Sequence, residues 1–190
     1  MTLPPSAVEV LEFWFGDTTA PRAEWFRKDP EFDATIARRF GGLIEQALAG
    51  GLSGWDEAPS STLAQVIVLD QFTRNAFRGT ARAFAGDARA LGLARHLVAS
   101  GWDRLLPPLQ RWFAYLPYEH AEDLARQDDS IRLFEALARE SPSLADAAHW
   151  ARRHQEVIAR FGRYPHRNAV LGRASTPEEA LFIQQPGSGF

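Results

Sequence analysis

Apolar residues recur at helical spacing along the whole chain, and the residues between the runs are those that start and stop helices. Val8, Leu11 and Phe15 form one stripe ahead of Gly16, and Ser6 with Glu9 has capping-box spacing, which predicts a first helix over residues 6–15. Asp29-Pro30 reads as an N-cap followed by an N1 proline. Phe32, Ile36, Phe40, Leu43, Ala47 and Leu48 then repeat every three or four positions as far as Gly50-Gly51. Gly41-Gly42 interrupts this second helix at a cost of about 1 kcal/mol per glycine relative to alanine, which predicts a neighbour packed closely there.

Residues 61–72 form the most apolar stretch, with Leu63, Val66, Ile67, Val68, Leu69 and Phe72 covering most of a helical circumference. A buried strand over residues 65–69 competes with that reading because β-branched residues are frequent there. Helix is preferred, since no other segment offers a partner strand. A fourth helix is expected over residues 87–100, with Leu91, Ala94 and Val98 on one stripe and Gly101 at its end. Pro107-Pro108 opens a short helix carrying Leu109, Trp112, Phe113 and Leu116, which Pro117 is expected to close. Another helix or helix pair covers residues 118–139, and residues 144–161 form a further helix stopped by Gly162. Thr176, Pro177 and Glu179 make a last capping signature before Leu181 and Phe182. These elements predict one all-α domain over residues 1–184, about eight helices in successive antiparallel hairpins, followed by a frayed tail at 185–190.

Composition narrows the function classes. A chain of 190 residues that is 45% hydrophobic and 24% charged is an ordinary globular protein, and no apolar run is long enough to cross a bilayer. A net charge of -3 argues against binding nucleic acid through its phosphate backbone. The absence of cysteine removes disulfides, zinc-thiolate sites and a thiol nucleophile. Residues 1–5 lack a secretory pattern, so the cytoplasm is the expected compartment. Every basic side chain except Lys28 is arginine, a permanently charged fork suited to carboxylate and phosphate.

Asp70 stands out because it sits in the most apolar helix, where an isolated carboxylate is costly, and Arg74 lies four residues on. The two form either a buried ion pair locking the helix exit or the floor of a polar site. Arg74, Arg78 and Arg82 recur every four residues and call for anions, either internal (Asp70, Glu119, Glu122, Asp123) or carried by a ligand. His154 falls on the Ala147, Ala151, Ile158, Phe161 face and so points inward. His120 lies among acids, which favours its charged form. His149 is five residues from His154, a poor angle for joint metal binding; no metal-ligand motif and no cofactor motif is present, nor a Gly-x-Ser-x-Gly elbow. The segment 71–80 echoes 164–173, sharing an aromatic residue, Arg-Asn-Ala (74–76 and 167–169) and a nearby glycine. Either two similar helix-exit turns, where an asparagine can take the left-handed conformation and stop the helix, or a duplicated binding loop accounts for it, and the first is preferred. Most of the six tryptophans are expected in the core.

Several of these stretches together resemble domain-of-unknown-function family 924. They are Val10-Leu11-Glu12-Phe13-Trp14-Phe15-Gly16, then Leu69-Asp70-Gln71-Phe72-Thr73-Arg74-Asn75 with Phe77-Arg78-Gly79-Thr80-Ala81-Arg82-Ala83-Phe84. Pro117-Tyr118-Glu119-His120-Ala121-Glu122 follows, and the most distinctive is Arg160-Phe161-Gly162-Arg163-Tyr164-Pro165-His166-Arg167-Asn168 with Leu171-Gly172-Arg173. The resemblance implies a tetratricopeptide-like all-α superhelix and no particular reaction. Thr73 stands where the family pattern resembles proline, which loosens the expected turn after Phe72. Ala121 stands where it resembles serine, which removes a hydroxyl.

The leading expectation is a concave interior with a polar pocket for a small anionic ligand, carboxylate or phosphate, held by Arg74, Arg78, Arg163, His166 and Arg167. The alternative is a metal-independent enzyme in which His154 or His120 serves as general base, oriented by Asp70 or Glu122. That reading requires hydrogen-bonded contact between an imidazole and a carboxylate. A third is a peptide-binding scaffold with a protein partner and a groove of exposed aromatic residues.

Overall fold

The computed structural model describes residues 3–189. Among them are eight α-helices and short 3₁₀ turns, with no strand. The helices are α1 (Pro5–Phe15), α2 (Pro30–Ala49), α3 (Pro59–Val66, running on through Ile67–Phe72 and Thr73–Ala76), α4 (Asp87–Ala99), α5 (Pro108–Glu119), α6 (Leu124–Glu140), α7 (Ala145–Phe161) and α8 (Pro177–Ile183). The all-α expectation is met, and the strand alternative at 65–69 is not.

Helix α3 is the axis of the molecule. Every residue from Ser61 to Thr73 is buried, and α1, α2, α4 and α5 all pack against it. A helix apolar nearly all round has no solvent face to offer, so it is covered on each side. Phe72 from α3 meets Trp14 and Phe13 of α1 at 5.7 and 5.9 Å and Phe40 of α2 at 4.7 Å. Trp14 also meets Phe113 of α5, edge to face at 5.5 Å. This aromatic centre fixes three helices, α1, α2 and α5, around α3, each ring pair adding about 0.5–1.5 kcal/mol beyond its buried area. Trp14, Trp25, Trp55 and Trp112 are core, as expected, whereas Trp150 is exposed.

The cap signals are met unevenly. Asp29 accepts from the amides of Glu31 and Phe32, Gly50 adopts the left-handed conformation after α2, and Thr176 with Glu179 forms a reciprocal capping box. Ser6 does not cap α1, which starts one residue earlier behind Pro4 with no side-chain cap. Pro117 does not close α5; the helix runs through it to Glu119. A proline so near the C-terminus removes one internal bond, and the helix still closes with the His120 amide on the Leu116 carbonyl at 2.9 Å. No atom lies within 4 Å of a Cβ placed at Gly41 or Gly42, so the expected close neighbour is not there. Residues 118–139 hold one main helix, α6, capped by Asp123.

Helices α6 and α7 form an antiparallel hairpin, tied by Arg152 to Glu135 and by Gln155 to Asp128 at 3.1 Å. Beyond α7, Phe161 meets Phe182 of α8 at 5.0 Å, beside Val157, Ile158 and Tyr164. In the expected frayed tail, Ser188 Oγ donates to the Ile183 carbonyl at 2.8 Å. Phe190 of that tail, and Met1 and Thr2 of the N-terminal stretch, lie outside the described residues. No described helix is long and apolar enough to cross a membrane.

Candidate functional site

The part of α3 that carries Asp70 is a π-helical turn, Ile67–Phe72. One extra residue per turn swings the following side chains round the axis, and such turns are frequent at functional sites. At its exit two side chains return to the backbone: Thr73 Oγ1 donates to the Leu69 carbonyl and Arg74 Nη1 to the Asp70 carbonyl, at 2.8 and 2.7 Å. Thr73 thus continues the helix, and the looser turn expected after Phe72 does not occur. A Cβ at Gly86 would lie 2.1 Å from the Leu69 oxygen. Only glycine lets the chain pass so close, and that approach delivers the next residue, Asp87, to the π-turn.

Asp70 is fully buried and fully partnered. Oδ1 meets His120 Nδ1 at 2.7 Å and Arg74 Nη1 at 3.1 Å, and Oδ2 accepts from Gln71 Nε2 at 2.6 Å. Burial opposes its charge, but Arg74 and then His120 outweigh this and hold the carboxyl well below the usual range. Arg74 also grips Asp87 with both terminal nitrogens, at 2.8 and 3.1 Å. Burial first, then Arg74, pulls His120 down in pKa, so it is neutral near pH 7, contrary to the charged form expected from its acid neighbours. An ionised Asp70 beside a neutral imidazole fixes the tautomer: Nδ1 carries the hydrogen and donates to Asp70, and Nε2 is unprotonated.

The segment after α7 brings the second half. Tyr164, His166 and Arg167 surround the 3₁₀ turn Pro165–Arg167. The Arg167 Cζ lies 4.5 Å from the Tyr164 ring and 4.7 Å from the Phe84 ring, and Nη1 makes one long contact with Asp87 Oδ2 at 3.3 Å. Its Nε is buried without a hydrogen-bond partner. The echoed motifs therefore have a shared destination. Arg74 from one and Arg167 from the other meet on Asp87 and on Phe84, over which the Arg74 Cζ sits at 5.6 Å. The asparagines do not take the left-handed conformation; among the described residues only glycines have positive φ, Gly79 and Gly172 among them in the turns that follow.

Behind this rim lies a second imidazole and carboxyl. His154 Nδ1 donates to the Trp150 carbonyl at 2.9 Å and lies 3.3 Å from Glu119 Oε1. Burial, reinforced by Asp70, pushes Glu119 up to about 8, and burial pushes His154 down to about 3. Near neutrality this is therefore a contact between two uncharged groups. Glu119 Oε2 is buried with no hydrogen-bond partner. Tyr164 is anchored here, its hydroxyl donating to the Glu119 carbonyl. Burial and then Arg167 bring His166, whose ring lies 5.6 Å from that of Tyr164, down to about 4.

Asp70, Arg74, His120, His154, His166 and Arg167 are thus drawn from distant stretches into one neighbourhood. Glu122 borders it, pairing with Arg173 and accepting from the Tyr164 amide at 2.8 Å. Arg78 and Arg163 are neutralised elsewhere, by Asp33 at 2.6 Å and by Glu179 at 2.6 Å. Arg82 goes to Glu45. Asp87, Phe84 and Tyr164 are members that sequence reasoning did not select. The signals that point to them are the glycine before a helix-opening aspartate, the Arg-Asn-Ala echo, and the place of Phe84 and Tyr164 in the stretches that resemble the family. The neighbourhood meets solvent where the side chains of Arg74, His120 and Asp87 are 18%, 15% and 21% exposed. The hollow of about 410 Å³ lined by Phe15, Thr18, Pro108, Leu109 and Ser143 contains none of its members. No group of three metal-ligating side chains occurs among the described residues.

The family described as "Bacterial protein of unknown function (DUF924)" matches residues 10–187. The chain belongs to this family. A solved structure of a protein of unknown function from Agrobacterium tumefaciens is 37% identical in sequence and superimposes with a TM-score of 0.85, covering 94% of this chain and 97% of that one. A comparison with curated proteins finds no match. The DUF924 assignment supports the all-helical fold and brings no reaction with it.

Proposed function

We propose that this DUF924 protein binds a small anionic ligand, carboxylate or phosphate, at the rim formed by Arg74, Arg167, His120 and His166. The observation that carries the reading is the state of Arg167. A buried guanidinium has five donors to satisfy, and an ion pair left incomplete costs several kcal/mol in desolvation, about 3–5 when a partner is missing altogether. Arg167 has one long ion contact and an unpartnered Nε, next to an Arg74 whose fork is already committed. An incoming anion supplies what is missing. A thermal-shift screen of acidic metabolites tests this. Some raise the melting temperature of the wild type and have no effect on Arg167→Ala; equal responses from both proteins contradict it.

A specific contact also favours a second reading, general-base chemistry at His120. The 2.7 Å bond to Asp70 engages Nδ1 of a neutral imidazole and leaves Nε2 as the basic nitrogen, the arrangement in which a carboxylate positions a histidine to take a proton. Arg167 then positions an anionic substrate beside it. Activated esters carrying a carboxylate are turned over by the wild type and at least about tenfold more slowly by His120→Gln. Identical rates for both proteins contradict this second reading and leave the binding reading standing.

A further inference from the structure

Resting on the anion-site reading above, we infer that the site is selective by charge: it takes a singly charged, planar carboxylate on Arg167 and rejects a phosphate dianion, with Asp87 as the specificity-determining residue. Asp70, Asp87, Arg74 and Arg167 balance one another, two negative against two positive, and His120, His154 and His166 are neutral around them. A carboxylate leaves that neighbourhood at one negative charge. A phosphate dianion leaves it at two, within reach of two carboxylates already held in little water, and like charges there are poorly screened.

Geometry points the same way. Arg74 has its terminal nitrogens turned to carboxylates, Nη1 to Asp70 and to Asp87 Oδ1 and Nη2 to Asp87 Oδ2. Arg167 has a buried donor with no partner, its Nε. The Phe84 and Tyr164 rings lie over the cation, so a ligand meets it in the plane of its N–H groups. One guanidinium edge pairs with the two oxygens of one carboxylate, whereas a tetrahedral dianion needs a second donor set to offset its extra charge. Asp87, which bridges both arginines, occupies the place that second set would serve.

The test is a titration of ¹⁵N-labelled protein with acetate and, separately, with inorganic phosphate at pH 7.5 and constant ionic strength, where phosphate is mostly the dianion and Glu119 is still mostly protonated. The readout is the Arg167 Nε–H resonance, assigned by its loss in Arg167→Lys. Acetate is expected to shift it at concentrations about tenfold lower than phosphate needs, and Asp87→Asn is expected to close that gap by tightening phosphate more than acetate. Phosphate binding as well as or better than acetate in the wild type overturns the charge selectivity while leaving an anion site in place. A resonance that neither anion moves overturns the anion site itself. Should Asp87→Asn fail to fold, the wild-type comparison decides alone.

Discussion

At the residue scale, the chemistry follows from which buried groups are charged. Glu119 and His154 lie 3.3 Å apart, and burial keeps both neutral near pH 7. For Glu119 the folded pKa, about 8, is above the unfolded value of 4.5, so its contribution to stability is complete below 4.5 and is lost as pH rises toward 8. For His154 and His166 the folded values, about 3 and 4, are below 6.5, so their contribution is lost as pH falls from 6.5. Between pH 6.5 and 8 the glutamate's loss is larger than the gain left to the two histidines, whose unfolded forms are only half protonated at pH 6.5. Urea unfolding across that interval is expected to show a net loss of about 1 kcal/mol in the wild type, and Glu119→Gln is expected to abolish that loss. An unchanged pH slope in the variant contradicts a protonated Glu119.

At the element scale, the passage of the chain at Gly86 holds the site together. It lets the start of α4 rest on the π-turn of α3 and puts Asp87 between Arg74 and Arg167. In Gly86→Ala a methyl group meets the Leu69 carbonyl, a backbone atom that cannot swing aside. The urea midpoint is expected to fall by the equivalent of about 1–3 kcal/mol, with loss of anion binding. Full stability in that variant means that the close approach is dispensable. Gly41→Ala is the control: with open space around it and helical backbone, it is expected to gain about 1 kcal/mol. A loss there means that the helix backbone at that point is needed by something other than packing.

The same scale shows what the sequence can carry. Helix boundaries were legible wherever a cap residue bonds locally, as at Asp29, Gly50, Gly162 and Thr176, because the partner lies within a few positions. The Asp70 and Arg74 pair was legible for the same reason. The π-turn was not, since one extra residue in a helix changes no composition and leaves the apolar pattern intact. Asp87 was hidden because its partners lie 13 and 80 residues away. Arg78 and Arg163 look like Arg74 in sequence, and only the fold shows that Asp33 and Glu179 reach them first.

At the scale of the whole molecule, the aromatic centre around α3 holds the helices while the polar site sits where α3, α4, α5 and the segment after α7 meet. A stable framework can carry one poorly satisfied cation, and a protein keeps such a group where a ligand completes it. The most direct measurement is the urea midpoint of Arg167→Met with no ligand present. Methionine keeps the volume and the contacts with Tyr164 and Phe84, and Asp87 keeps both bonds from Arg74. An arginine held for a ligand predicts a midpoint equal to or above that of the wild type, by up to about 4 kcal/mol. A fall equivalent to about 3 kcal/mol or more would mean that Arg167 is a structural brace, and the anion site would lose its foundation.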